Sequence, residues 1–118
     1  MDYQAINLAE KLSQFSEHWS PKIVSAFNDC DIMLAKFQGE FVWHKHDDTD
    51  DLFLVLDGQV TIDLEDGQVV LNPGELFVVP KGLMHRPRAE KEAKVLLIEP
   101  KGTPNTGDEA TAVEKNRL

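Results

Sequence analysis

Short apolar runs recur along the chain at intervals of roughly ten residues from position 23 onward. Turn-forming residues separate them, and Asp57-Gly58 and Asp66-Gly67 are dipeptides typical of tight hairpins. The pattern predicts an all-β fold, either a sandwich or a small antiparallel barrel. The predicted strands cover residues 23–27, 32–37, 41–46, 52–56, 60–64, 68–71, 76–79 and 95–98.

The N-terminal stretch has a different period. Four apolar residues follow one another at steps of four, three and four, which places them on one face of a helix that Pro21 ends. This face has to cover either the chain's own domain or a partner subunit. It consists of Leu8, Leu12, Phe15 and Trp19.

Composition divides the chain further. Beyond residue 100 it turns polar, with almost no large apolar side chain, so we expect a mobile tail or one that lies on a partner. The predicted organisation is a helical extension (1–20), a β-barrel domain (21–100) and a polar tail (101–118).

The net charge excludes two classes of partner. The chain has 118 residues, enough for one compact domain, and a formal charge of −9 from 12 Lys and Arg against 21 Asp and Glu. Nucleic acids and anionic membranes require clustered cations, so we expect neither as a partner. The single cysteine, Cys30, cannot form an internal disulfide, and no apolar run approaches the length of a membrane span. We therefore expect a cytoplasmic protein.

The histidine spacing suggests a metal site. His44 and His46 stand two positions apart in a predicted strand, so both imidazoles can point to the same face. Asp51 opens the next predicted strand, and His85 follows the turn at 80–82. Three imidazoles and one carboxylate suit a divalent transition metal such as Fe, Mn, Ni, Cu or Zn. The alternative is that the histidines are only hydrogen-bonded and that the acidic run 47–51 is a solvated loop.

Two segments of the chain resemble the motifs of a known family. The first reads Gly39-x4-His44-x-His46-x4-Asp51-x6-Gly58, and the second reads Gly74-x5-Pro80-x-Gly82-x2-His85. With the 15 residues between them (59–73), they resemble the two motifs of the cupin superfamily over residues 31–99. Two departures are one residue fewer than usual before His44 and an aspartate, Asp51, where the family usually has glutamate.

The resemblance implies a small β-barrel of the cupin or jelly-roll type that binds a metal ion. His44, His46 and Asp51 from the first motif and His85 from the second would be the ligands. Aspartate is one methylene shorter than glutamate, so a bond from Asp51 requires backbone movement or a bridging water, and a three-histidine site remains an alternative.

The resemblance also implies which side chains face the interior. If His44 and His46 point into the barrel, Val42 does so as well, while Phe41 and Trp43 point outward. Phe53 and Val55, on the next strand, would then line a pocket for a small organic molecule. We expect the N-terminal helix or a second subunit to cover the outward aromatic side chains.

The implied functions fall into two classes. As an enzyme, a cupin uses its metal to polarise an oxygen atom, as in sugar-phosphate (mannose-6-phosphate-type) isomerases, or to hold dioxygen, as in dioxygenases. As a binding module, it senses a small molecule without turnover, and a barrel without metal is a third reading. Lys36, Arg86 and Arg88 are the cations that could hold an anionic substrate, but no catalytic acid or base can be named. The helix face and the resemblance also predict a homodimer.

Overall fold

The structure, a computed structural model, describes residues 3–118. One short helix precedes a sheet of eight strands, which confirms the all-β prediction. Within the described residues, no helix is long and apolar enough to cross a membrane. The elements are α1 (Leu8–Leu12), β1 (Lys22–Phe27), β2 (Cys30–Glu40), β3 (Asp51–Asp57), β4 (Val60–Leu64), β5 (Gly67–Leu71), β6 (Leu76–Val79), β7 (His85–Pro100) and β8 (Asn116–Arg117).

The long strand β7 connects the two parts of the barrel. It pairs antiparallel with β2 along most of its length, with β4 at its beginning and with β3 towards its end. The strands β1 and β5 extend the sheet beyond β2 and β4, and β6 pairs with β3. By contrast, β8 runs parallel to its neighbour β1. Because β7 changes partner from β4 to β3, the pair β4–β5 and the pair β3–β6 lie on the same long strand and enclose a common interior.

Alternate side chains of β3 and β7 point into this interior. In β3 the buried positions are Asp51, Phe53 and Val55. In β7, Leu97 and Glu99 follow the same alternation, as expected for strands with one buried face. The antiparallel register places both carboxylates at the same end of the barrel, so this end of an otherwise apolar core is polar.

The N-terminal helix is shorter than its apolar pattern predicts. It ends at Leu12, with Ser13 as its C-cap, and does not continue to Trp19. Leu12 and Phe15 pack in a cluster with Val24, whereas Trp19 packs against the main core. One helix face cannot serve both clusters, so the chain leaves the helix and Trp19 takes a left-handed φ of 58°. Because the apolar face is covered within the chain, it no longer argues for a second subunit.

Residues 41–46, predicted to form a strand, do not form one. Their backbone makes an isolated bridge at His44, which pairs with His85. The side chains alternate between exposed and buried from Trp43 to His46, but the alternation does not extend further back: Phe41 turns towards the interior and Val42 is 52% exposed. The predictions that Val42 lines the pocket and that Phe41 faces outward are therefore wrong. Trp43 is exposed, as predicted.

The polar tail lies against the barrel. Its end pairs with β1 through β8, and the backbone N–H of Leu118 donates to the carbonyl of Ile23. Further back, the Cα of Gly107 packs directly on the backbone carbonyl of Lys45. Backbone contacts thus hold the tail where its composition provides no apolar core.

Candidate metal centre

Four side chains meet at the polar end of the barrel: those of His44, His46, Asp51 and His85. One ligand atom from each lies within 4.8 Å of the others. Each of these residues is at most 6% exposed. The structure thus brings together the four residues that the sequence suggested as ligands.

Backbone hydrogen bonds join the segments that carry the histidines. His44 and His85 exchange two such bonds, with N···O distances of 3.0 and 2.9 Å. The N–H of Gly82 donates to the carbonyl of His46 over 2.8 Å. Gly82 has a φ of 81°, a conformation that glycine adopts without steric cost. These bonds hold the two motif segments together at one point.

Backbone carbonyls also orient two of the imidazole rings. Nδ1 of His44 lies 2.9 Å from the carbonyl oxygen of Val42, and Nδ1 of His85 lies 2.9 Å from that of Leu83. A carbonyl oxygen only accepts hydrogen bonds, so each Nδ1 carries the hydrogen and donates it. In the neutral ring Nε2 then has a free lone pair, which is the form that binds a metal ion.

The spacing of the ligand atoms fits a metal ion. Oδ2 of Asp51 lies 3.4 Å from Nε2 of His46 and 3.5 Å from Nε2 of His85. A tetrahedral ion with bonds of about 2.1 Å separates its ligand atoms by about 3.4 Å. Both nitrogens are buried without a hydrogen-bond partner, which is rare for polar atoms in folded proteins. The donor set therefore fits a transition metal, and the shorter arm of Asp51 still reaches the cluster.

Burial and mutual contact shift the pKa values within the cluster. Burial lowers the pKa of His44 to about 4, which outweighs the opposing effect of its hydrogen bond to Val42. Burial also disfavours the charged forms of His46 and Asp51, but the combined hydrogen-bond and charge interactions of the cluster favour these forms more strongly. The pKa of His46 is consequently raised, and that of Asp51 is lowered by His46 and His85 together. Near neutral pH Asp51 is an anion and His44 is neutral, as metal binding requires, whereas the raised pKa of His46 means that a metal ion competes with a proton at that ring.

An aromatic cavity adjoins the cluster. The Trp19 ring stacks on Phe37 and Phe41, with centroid distances of 4.2 and 4.9 Å. Phe53 contributes a further aromatic wall, and His44 and Asp51 form the side next to the cluster. The free volume is about 30 Å³, enough for one water molecule.

Two other residues were expected to line this pocket beside Phe53. Val55 is fully buried in the core instead, and Val42 lies outside, as described above. The cavity wall is therefore more aromatic than the sequence suggested.

Glu99 is a residue of this cavity that sequence reasoning did not single out. It is 3% exposed and lines the cavity with Asp51. Burial and the nearby charge of Asp51 raise the pKa of Glu99 to about 7. The signal was available in the sequence, since Val95, Leu97 and Glu99 occupy every second position of a strand. The carboxylate thus continues a row of buried side chains.

The three cations considered as substrate-binding residues are engaged elsewhere. Nζ of Lys36 donates to the carbonyl oxygen of Phe15 over 2.6 Å. Arg86 and Arg88 both donate to the carboxylate of Asp63. Within residues 3–118, no lysine or arginine lines the aromatic cavity.

Comparison with known proteins identifies the family of the chain. The family model described as the cupin domain matches residues 32–99. The protein YdbB of Bacillus subtilis (strain 168) is 36% identical over 96 residues, which are 80% of this chain and 85% of that protein.

Solved structures similar to this chain include a cupin-2 domain protein. A cupin-2 domain containing protein from Shewanella frigidimarina NCIMB 400 is 45% identical, with a TM-score of 0.81 over 81% of this chain and 94% of that one. NMB1881 from Neisseria meningitidis is 33% identical, with a TM-score of 0.75 over 83% and 100%. Hydroquinone 1,2-dioxygenase from Sphingomonas sp. TTNP3, solved with 4-nitrophenol, is 23% identical, with a TM-score of 0.74 over 82% and 32%, and shares the fold alone. On the family match and these identities, the chain belongs to the cupin domain family.

Proposed function

We propose that this protein is a metal-dependent cupin that acts on a small, unphosphorylated organic molecule. The observation that carries the proposal is the convergence of three buried imidazoles and one buried carboxylate beside a partly open aromatic cavity. His44, His46, Asp51 and His85 would hold the ion, since this donor set suits first-row transition metals. When bound, the ion supplies a Lewis acid and, if it is redox-active, a binding site for dioxygen.

The protein's own residues would position the substrate and exclude water. The carbonyls of Val42 and Leu83 keep the imidazoles in the metal-binding tautomer. The aromatic wall favours a planar, largely apolar molecule. It also lowers the local polarity, which strengthens electrostatic interactions at the cluster.

The charges around the cavity disfavour a phosphorylated substrate. Asp51 and Glu99 face the cavity, whereas Lys36, Arg86 and Arg88 bind other groups. Phosphate is usually bound by such cations or by backbone N–H groups. Sugar-phosphate isomerisation therefore fits poorly, and we favour oxygen-dependent chemistry on a hydroxylated ring. The Sphingomonas dioxygenase, solved with a phenolic ligand, has the same fold but is too dissimilar to carry the activity across.

Metal binding is the first test. Wild-type protein, His46→Ala and the control His18→Ala are purified without added ions, reconstituted with Fe²⁺ or Zn²⁺, and measured by mass spectrometry. His18 is a suitable control because it lies outside the cluster and bonds to Glu92. We expect about one equivalent in wild type and His18→Ala, and much less in His46→Ala, since removing a ligand weakens metal binding strongly. Less than about 0.1 equivalent in wild type would refute a metal site.

Oxygen uptake is the second test. The Fe²⁺-loaded protein is placed in an oxygen electrode with hydroquinone, catechol and, for comparison, fructose 6-phosphate. We expect uptake with a hydroxylated ring and none with His46→Ala. Isomer formation from the sugar phosphate would overturn the proposed substrate class. Tight binding of every ring tested without any product would identify a sensing module instead of an enzyme.

A further inference from the structure

Glu99 is a buried carboxylate that the proposed metal site does not use. It lies near the end of β7, beside Asp51 of β3, because Leu52 pairs with Ile98 in the antiparallel register. Glu99 is 3% exposed and lines the aromatic cavity. Its Oε2 atom is fully buried and has no hydrogen-bond partner.

Lys115, the cation beside Glu99, leaves this oxygen free. Its Nζ lies 3.7 Å from the other carboxylate oxygen, Oε1, which is too long for a hydrogen bond. The same ammonium group donates to the carbonyl oxygen of Thr103. If Glu99 served only to bind the tail, both of its carboxylate oxygens should accept hydrogen bonds, and neither accepts one from Lys115.

The surroundings of Oε2 suggest what it binds. A buried carboxylate oxygen without a donor destabilises a fold, and Val95 and Leu97 show that this row of β7 accepts apolar side chains. The adjoining free volume of about 30 Å³ admits a group the size of one water molecule. Glu99 is therefore a carboxylate in the wall of a small cavity, with one oxygen that no donor satisfies.

We propose that Glu99 orients the bound molecule by accepting, at its carboxylate, a hydrogen bond from one of the molecule's hydroxyl groups. The inference rests on the proposed function and narrows the ligand class to hydroxylated aromatic molecules, of which phenol is the simplest. The cavity is partly open to solvent, so the ring of the bound molecule would pack against its aromatic wall, which includes Trp19.

The experiment compares phenol with anisole, in which a methyl group replaces the hydroxyl hydrogen. Both are titrated into Zn²⁺-loaded protein, a redox-inert form, with calorimetry and tryptophan fluorescence as readouts. We expect wild type to bind phenol about tenfold or more tightly than anisole, because the hydrogen bond to the Glu99 side chain is lost with anisole. Contact of the ligand with Trp19, which lines the cavity, should also change the fluorescence.

Three variants separate hydrogen bonding from structural effects. Glu99→Leu should lose the preference for phenol while keeping its zinc and its affinity for anisole. Glu99→Gln, whose amide oxygen still accepts, should retain most of the preference. Lys115→Met removes the ion pair and the hydrogen bond to Thr103 but leaves Glu99 in place, and it should behave like wild type.

The outcomes distinguish this inference from the proposed function. Equal affinity for phenol and anisole in wild type, no phenol binding, or an unchanged preference in Glu99→Leu would each overturn the role of Glu99, even if zinc is bound. If Lys115→Met loses the preference as fully as Glu99→Leu, the role is structural and the inference is wrong. If wild type binds no zinc, it is the proposed function that fails. The comparison of the two ligands on wild type is decisive even if a variant does not fold.

Discussion

The free energy of unfolding of the metal-free Glu99→Gln variant should exceed that of wild type by more at pH 8 than at pH 5. In the fold, burial and the charge of Asp51 raise the pKa of Glu99 from 4.5 to about 7. Between these two values the folded protein keeps a proton that the unfolded chain has released. The contribution of Glu99 to stability is therefore fully present below pH 4.5 and is lost as the pH rises through 7.

The magnitude follows from the two pKa values. One pKa unit corresponds to about 1.4 kcal/mol, so a shift from 4.5 to about 7 changes the free energy of unfolding by about 3 kcal/mol over the full range. Between pH 5 and pH 8 most of this change occurs. Glutamine does not ionise and avoids the loss. Relative to wild type, Glu99→Gln should thus gain about 2 kcal/mol between pH 5 and pH 8.

Urea denaturation of the chelator-treated proteins at both pH values measures this gain. Glu92→Gln is the matched control: Glu92 is exposed, and its hydrogen bond with His18 lowers its pKa. The ionised form of Glu92 therefore stabilises the fold at high pH. Relative to wild type, Glu92→Gln should gain no unfolding free energy between pH 5 and pH 8. If the difference between Glu99→Gln and wild type is the same at pH 5 and pH 8, the buried, uncompensated state of Glu99 is refuted.

Three further measurements test other parts of the structure. Gly107→Ala should reduce the free energy of unfolding by about 1 kcal/mol or more beyond the loss in the control Gly102→Ala. Both glycines have a positive φ, but only at Gly107 would a Cβ collide with the Lys45 carbonyl. Equal losses in urea denaturation would contradict the packing of the tail. Asp51→Asn should weaken Zn²⁺ binding about tenfold or more in a chelator competition, and unchanged affinity would mean a three-histidine site. Asp63→Asn should be less stable than wild type at pH 7, with a deficit that shrinks as the pH falls, because its arginine partners lower the pKa of Asp63; a deficit independent of pH would contradict that ion pairing.

Local patterns in the sequence were sufficient for most strands and for the cluster. The strands β4 and β6 have the predicted bounds, 60–64 and 76–79, because apolar runs and turn dipeptides act between neighbours in sequence. The spacing of His44 and His46 and the second segment with His85 likewise indicated which residues meet. Their convergence did not depend on the predicted strand at 41–46, since an isolated bridge between His44 and His85 achieves it.

Contacts between segments distant in sequence decided the remaining features. Trp19 leaves the helix because its ring packs on Phe37 rather than beside Phe15. Glu99 enters the cavity because β7 pairs with β3 at the end where Asp51 lies, although alternation alone could assign it to a buried face. The sequence by itself determined which side chains share a strand face and which residue types can bind a metal. Only the tertiary structure decided what each face meets, because that depends on the pairing of strands and on the packing of the chain ends against them.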